Sequence, residues 1–208
     1  MSKNHLYYII LIFILTGCGK KSLLPIDYIS WIRDSENGLY QEKNIEKFIY
    51  SVQYEPIEYL VLIENKDSLE NGEKYFKEKV AERTGLQYYL FNIKLNNSTA
   101  NILKEELQDE AEYYKRIQYL LSEAQFDFKM IEGKDTLQCE LYHFEQTYGL
   151  TPFISIVLAF KTTNSQNFEG NYAANKTFIF DDKIYRNGKL KFTIDDKNIN
   201  NIPNLILM

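Results

Sequence analysis

The sequence predicts an α+β domain, a mostly antiparallel sheet packed with one long amphipathic helix and one or two shorter helices. Three observations carry that expectation. Strand-like runs follow one another through residues 126–194 without helices regularly between them, which excludes a doubly wound parallel sheet. Asn187-Gly188 sits between alternating segments, and both residue types accept the positive φ of a tight hairpin turn. Leu103, Leu107, Ala111, Tyr114, Ile117 and Leu121 recur at helical spacing over about five turns.

Taken in order, Ile26, Ile29 and Ile32 share a helical face, with Trp31 beside them, and predict one or two helical turns ended by Glu36-Asn37-Gly38. Ile45–Tyr54 alternates through Phe48, Tyr50 and Val52 and reads as a strand stopped by Pro56. Ile57–Ile63 is a short apolar run that fits either a buried strand or a helix. Asn71-Gly72 signals a turn. Glu73–Arg83 then reads as a helix with Gly85 just beyond it, and Leu86–Leu95 as an aromatic, β-branched strand.

The long helix is expected next, with Ser98 or Thr99 as N-cap. Its first half carries Glu105, Glu106, Asp109 and Glu110, and Lys115 and Arg116 come later, an order that suits the helix dipole. Glu112 and Arg116 are spaced to pair. Phe126–Ile131, Thr136–Glu145 and Phe153–Lys161 follow as strands, the last a nearly unbroken apolar run expected at the sheet centre. Thr177–Phe180 begins the final strands. Lys183–Arg186 and Lys189–Ile194 are expected to flank the Asn-Gly turn, with Leu190, Phe192 and Ile194 on one face. Pro203 precedes an apolar tail expected to pack on the domain.

The amino terminus is an address. Lys3 precedes an uncharged apolar run, Leu6–Leu15, too short for the roughly 20 residues of a membrane span. The run ends in Leu15-Thr16-Gly17-Cys18. This segment resembles the lipobox of bacterial lipoproteins: an aliphatic residue, two small residues, then cysteine. The resemblance covers only the first 20 or so residues. It implies a diacylglyceryl group on the Cys18 thiol, cleavage before Cys18, and a chain held on a membrane of the bacterial cell envelope. Two acyl chains hold where one is marginal. The expected division is a signal peptide over 1–17, a lipid-anchored linker over 18–25 and one globular domain over 26–208.

Composition narrows the function classes. The chain has 208 residues, 45% hydrophobic, and a formal net charge of −5, which excludes a chain-wide basic footprint for nucleic acid. Cleavage before Cys18 leaves His143 as the one histidine, and lipidation leaves Cys139 as the one free thiol. Neither a P-loop, nor a dinucleotide fingerprint, nor a G-x-S-x-G elbow is present. No cofactor or metal is expected: one histidine and one thiol make no usual zinc site, and Asp181-Asp182 and Asp195-Asp196 read as surface turns.

Three functional readings stand. The first is a non-catalytic protein-binding or accessory component, with Glu105, Glu106, Asp109 and Glu110 as a face for a basic protein partner. The second is a small-ligand or glycan-binding lipoprotein using tyrosines on a sheet face. The third is an envelope enzyme using Cys139, His143 and Glu145, which alternate on one strand and would share a face.

Overall fold

A computed structural model describes residues 20–64, 72–147, 150–163 and 174–207. The lipobox and Cys18 lie outside these residues, as do Asn71, Tyr148, Tyr172 and Met208.

The chain begins with a two-residue strand, β1 (Ser22–Leu23), and a helix, α1 (Pro25–Arg33), that has proline at its first turn, where the missing N–H costs nothing. A hairpin follows, β2 (Tyr40–Ile45) and β3 (Phe48–Glu55). Helices α2 (Ile57–Glu64) and α3 (Gly72–Ala81) lead to β4 (Leu86–Leu95). Helix α4 (Glu110–Ser122) precedes β5 (Phe128–Glu132), β6 (Asp135–Phe144) and β7 (Phe153–Lys161). The chain closes with β8 (Lys176–Asp182), β9 (Gly188–Ile194), α5 (Asp196–Asn200) and β10 (Asn204–Leu205).

Strands β2 to β9 form one eight-stranded sheet in the order β2-β3-β4-β7-β6-β5-β8-β9. Every neighbouring pair is antiparallel. The sheet curls until its two edge strands come back beside each other: β2 packs against β9, and the Lys43 ammonium lies 5.9 Å from the Phe192 ring. The result is a near-closed barrel, and the α+β, sheet-dominated class stands.

Alternation decides what fills it. Tyr50, Tyr89, Phe91, Phe128, Phe160, Phe178, Phe180 and Phe192 point inward and are at most 1% exposed. Phe91 sits among the rings of Tyr50, Phe128, Phe178, Phe180 and Phe192, at centroid distances of 4.8–6.5 Å. Such pairs contribute about 0.5–1.5 kcal/mol each beyond their buried area. On β9, Leu190, Phe192 and Ile194 face in while Lys189, Lys191 and Thr193 face out, as the alternation predicts. Strand β7 lies between β4 and β6 near the middle of the sheet and is buried along most of its length.

Four expectations need correction. The strand expected over Ile45–Tyr54 is half of a hairpin: β2 precedes it, and Glu46 turns the chain with φ of 53°. A hairpin forms here, but not on a two-residue Asn-Gly turn: its first arm ends at Asp182, Gly188 already pairs in β9, and residues 183–187 make a five-residue loop. The linker expected over 18–25 is pinned from residue 22, because β1 pairs in parallel with β10. The apolar tail thus packs on the amino-terminal segment.

The long helix is the fourth. Its expected first half is a single 3-10 turn, Ile102–Lys104, with Asn101 capping it, followed by Glu106 at φ of 57°. Helix α4 starts only at Glu110, capped by the Asp109 carboxylate, which accepts from the Glu112 N–H at 2.9 Å. Burial explains the break. Ile102 and Leu103, 0% and 5% exposed, are pulled into the barrel end, and a continuous helix could not deliver them there. The buried side of α4 then centres on Tyr113, Ile117 and Leu120, leaving Ala111, Tyr114 and Leu121 of the expected stripe exposed. Arg116 does not pair with Glu112. It donates to the Leu103 and Glu105 carbonyls at 3.0 and 2.7 Å and lies over the Tyr185 ring.

Candidate functional site

Polar groups sit inside both ends of the aromatic core. At one end, Lys176 donates to Glu132 at 2.5 Å and Gln87 donates to the other Glu132 oxygen at 3.0 Å. Gln87 also donates to the Lys161 carbonyl and accepts from the Tyr89 hydroxyl. Burial pushes the Lys176 ammonium below the usual lysine range, and Glu132 opposes that shift. At the other end the Asp182 carboxylate accepts from the Tyr50 hydroxyl at 2.7 Å and from the backbone N–H groups of Ile184, Tyr185 and Asn187. Asp182, expected in a surface turn, is 3% exposed. Both networks spend their hydrogen bonds on the fold.

Glu55 is different. It ends β3, opposite Tyr88 of β4, at the same end of the barrel as Gln87. The residue is 5% exposed, and among the described residues no hydrogen-bond donor reaches its carboxylate. Burial pushes the carboxyl up to about 7; the charges of Glu145 and Glu64 add to the shift and Arg33 opposes it. Arg33 is engaged elsewhere, donating to the Tyr59 hydroxyl at 3.0 Å.

Glu55 lines a half-open cavity of about 360 Å³. The barrel rim supplies Tyr54, Leu86 and Gln87; the helices supply Tyr28, Glu58 and Phe76; Ile199, Ile202 and Leu205 close the carboxy-terminal side. Lys20 stands exposed on the lining. Tyr28 is held protonated by burial, with the charge of Glu58 adding to the effect. The size is in the range of a small-molecule site, and a buried carboxyl with a shifted pKa in a cleft is the physical mark of a functional position.

The sequence-derived candidates fare unevenly. Glu105 and Glu106 both pair with Lys47, at 2.7 and 2.8 Å, and precede α4 rather than forming a face of it. Asp109 is spent as the helix cap. Glu110 is exposed. The four residues therefore do not form a free acidic face.

Cys139, His143 and Glu145 do not share a strand face. A β-bulge between Cys139 and Leu141 shifts the register, so that Cys139, Tyr142 and Phe144 turn inward while His143 turns out. The Cys139 thiol donates to the Leu141 carbonyl at 2.9 Å, and burial pushes it up to about 11, away from thiolate chemistry. Glu145 lies beyond the end of β6.

Among the described residues, tyrosines form no exposed platform on the sheet. Tyr50, Tyr54, Tyr88, Tyr89 and Tyr185 are all at most 7% exposed. Among the described residues no cluster of three histidine, cysteine or acidic side chains could hold a metal, and no helix is long and apolar enough to cross a membrane.

Sequence reasoning passed over Glu55, Gln87, Glu132 and Lys176. A signal existed for the last two. Glu132 shares the period-two face of Phe128 and Met130, and Lys176 that of Phe178 and Phe180, so each had to be buried with a partner. Glu55 left no such trace, because it lies on the opposite strand face from Tyr54 and is covered by helices.

Neither a protein-family model nor a curated protein matches the chain. A solved structure, a Burkholderia pseudomallei K96243 protein of unknown function, is similar at 10% identity, with a TM-score of 0.36, over 86% of this chain and 93% of that one.

Proposed function

We propose that the chain is a lipid-anchored component of a bacterial cell envelope that works by binding, and that its ligand is a small molecule taken into the cavity beside Glu55. The observation that carries the reading is a carboxyl on a residue only 5% exposed, with no donor to it among the described residues, that opens on a cavity. Burying such a group costs free energy, and a ligand that satisfies it recovers that cost. The lipobox resemblance supports the location. Lys20 lies on the cavity lining, and a chain spans at most about 3.6 Å per residue. A lipid on Cys18 would hold the cavity within about 10 Å of the membrane surface.

The test is native mass spectrometry of the mature lipoprotein extracted in mild detergent. A small molecule in stoichiometric amount should accompany the wild-type chain and be lost from the cavity-filling variant Leu86→Trp. The same molecule at equal occupancy in both would refute the assignment. Cys18→Ala should release the protein from the membrane or leave it unprocessed; retention with normal processing would refute the anchor.

A second reading, a protein partner, is favoured by a different observation. Tyr114, Leu121 and Phe126 are 61%, 48% and 71% exposed along α4 and the turn after it. A partner that docks there should be lost from pull-downs with Tyr114→Glu/Leu121→Glu and be unaffected by Leu86→Trp.

A further inference from the structure

The chemistry of the cavity wall selects among small ligands. Resting on the reading of this cavity as a ligand site, we propose that it holds an organic ammonium ion, with the nitrogen on the Glu55 carboxylate and the apolar part against Tyr28, Tyr54 and Phe76.

Charge and hydrogen-bonding capacity on the wall narrow the ligand classes. Among the described residues, Glu55 and Glu58 both lie on the wall, against one lining cation, Lys20, which is solvent-exposed. An anionic ligand would meet two carboxylates and no buried cation, so it is disfavoured. Gln87 and the Tyr28 and Tyr54 hydroxyls are the other buried polar groups of the lining, all neutral, and both amide hydrogens of Gln87 are spent. Its carbonyl oxygen accepts from Tyr89, and its amide donates to Glu132 and to the Lys161 carbonyl. Among the described lining residues the buried charged group is the Glu55 carboxylate, which when ionised only accepts. The ligand must bring a donor.

A charged donor fits better than a neutral one. It offsets the buried negative charge as well as filling the hydrogen bond, and charge-assisted hydrogen bonds are about twice as strong as neutral ones. The surroundings also suit a cation with an apolar body. Tyr28, Tyr54 and Phe76 are 2%, 7% and 4% exposed, and aromatic faces attract ammonium groups, more strongly where water is excluded.

The test uses the mature lipidated chain in detergent micelles, with empty micelles as blank. Three probes share one skeleton: benzylammonium chloride, benzyl alcohol and sodium benzoate. Calorimetric titrations are run at constant ionic strength and about pH 8, where Glu55, with its carboxyl raised to about 7, is mostly ionised. Benzylammonium should bind and the other two should bind at least tenfold more weakly. Glu55→Gln should weaken benzylammonium about 30-fold, as for removal of one partner of a buried charge pair. Its thermal midpoint, expected to match or exceed wild type, guards against misfolding. Benzyl alcohol binding as tightly as benzylammonium, with Glu55→Gln indifferent and Leu86→Trp abolishing both, would overturn the ammonium assignment and leave the cavity reading standing. Failure of all three probes, or benzylammonium binding that survives Leu86→Trp, would overturn both.

Discussion

Lys176 and Glu132 form an ion pair inside the barrel, with their side chains 1% and 0% exposed. The pair joins the start of β8 to the end of β5, two strands that are neighbours in the sheet. Its attraction acts where water does not screen it, but both ions have given up their hydration. Such a pair is costly to break and not costly to replace. Lys176→Met should destabilise the fold by about 3–5 kcal/mol, because Glu132 is left charged and buried. Lys176→Met combined with Glu132→Leu should recover most of that loss. Urea unfolding of the two variants reads the difference; equal destabilisation would mean that the pair has no such coupling.

At the opposite end of β8, Asp182 organises the turn into β9. Its carboxylate accepts three backbone N–H groups and the Tyr50 hydroxyl, and Asn187 donates to that same hydroxyl at 2.7 Å. Tyr50→Phe removes one donor and should cost about 1 kcal/mol. Asp182→Ala strands three N–H groups in a partly buried turn and should cost roughly 3 kcal/mol or more. Amide hydrogen exchange at Ile184, Tyr185 and Asn187 should speed up in Asp182→Ala and stay near wild type in Tyr50→Phe. Unchanged exchange in both would show that the turn is held by other means.

How much of this was readable depends on whether a residue's fate is set locally. Leu86–Leu95 and Phe153–Lys161 form strands with the limits the sequence suggests, because alternation and apolar content act along the strand itself. The 99–121 helix fails because Ile102 and Leu103 are claimed by a barrel end built from strands far away in sequence. That tertiary demand outweighs helix propensity. The Cys139, His143 and Glu145 face fails because alternation holds only while the register does, and one bulge reverses it. Glu55 is legible only once α1, α2 and α3 cover its face of β3. Its burial is a property of the assembled fold.

The bulge leads to a test of Cys139. With its thiol turned inward, bonded to the Leu141 carbonyl and raised to about 11, its thiolate fraction near neutral pH is about 100-fold below that of a thiol at the ordinary value of 9. Iodoacetamide should label Cys139 rapidly only after denaturation, in a chain whose Cys18 is blocked by lipid. The comparison is labelling rate by mass spectrometry, folded against urea-unfolded. Fast labelling of the folded protein would restore the cysteine nucleophile as a reading.

Glu55 gives a pH dependence whose sign is opposite to that of a salt-bridged carboxylate. In the folded chain the carboxyl titrates at about 7, against an ordinary value of 4.5. Between those values the folded state holds a proton that the unfolded state has released, so stability falls as pH rises through that window. Below it both states are protonated; above it both are ionised and the penalty is complete. At 1.36 kcal/mol per pKa unit the loss is about 3 kcal/mol. Glu55→Gln cannot ionise, so it should lack this fall and be the more stable chain at pH 8, while the two proteins converge near pH 4. Chemical denaturation at a series of pH values measures the gap, and parallel curves would show that the Glu55 charge is already satisfied in the folded protein. An ammonium ligand should act in the same window from the other side. By pairing with the ionised form it should draw the Glu55 pKa down and narrow the gap above pH 7. A gap that stays constant as benzylammonium is added would separate the burial of Glu55 from any role in holding a cation.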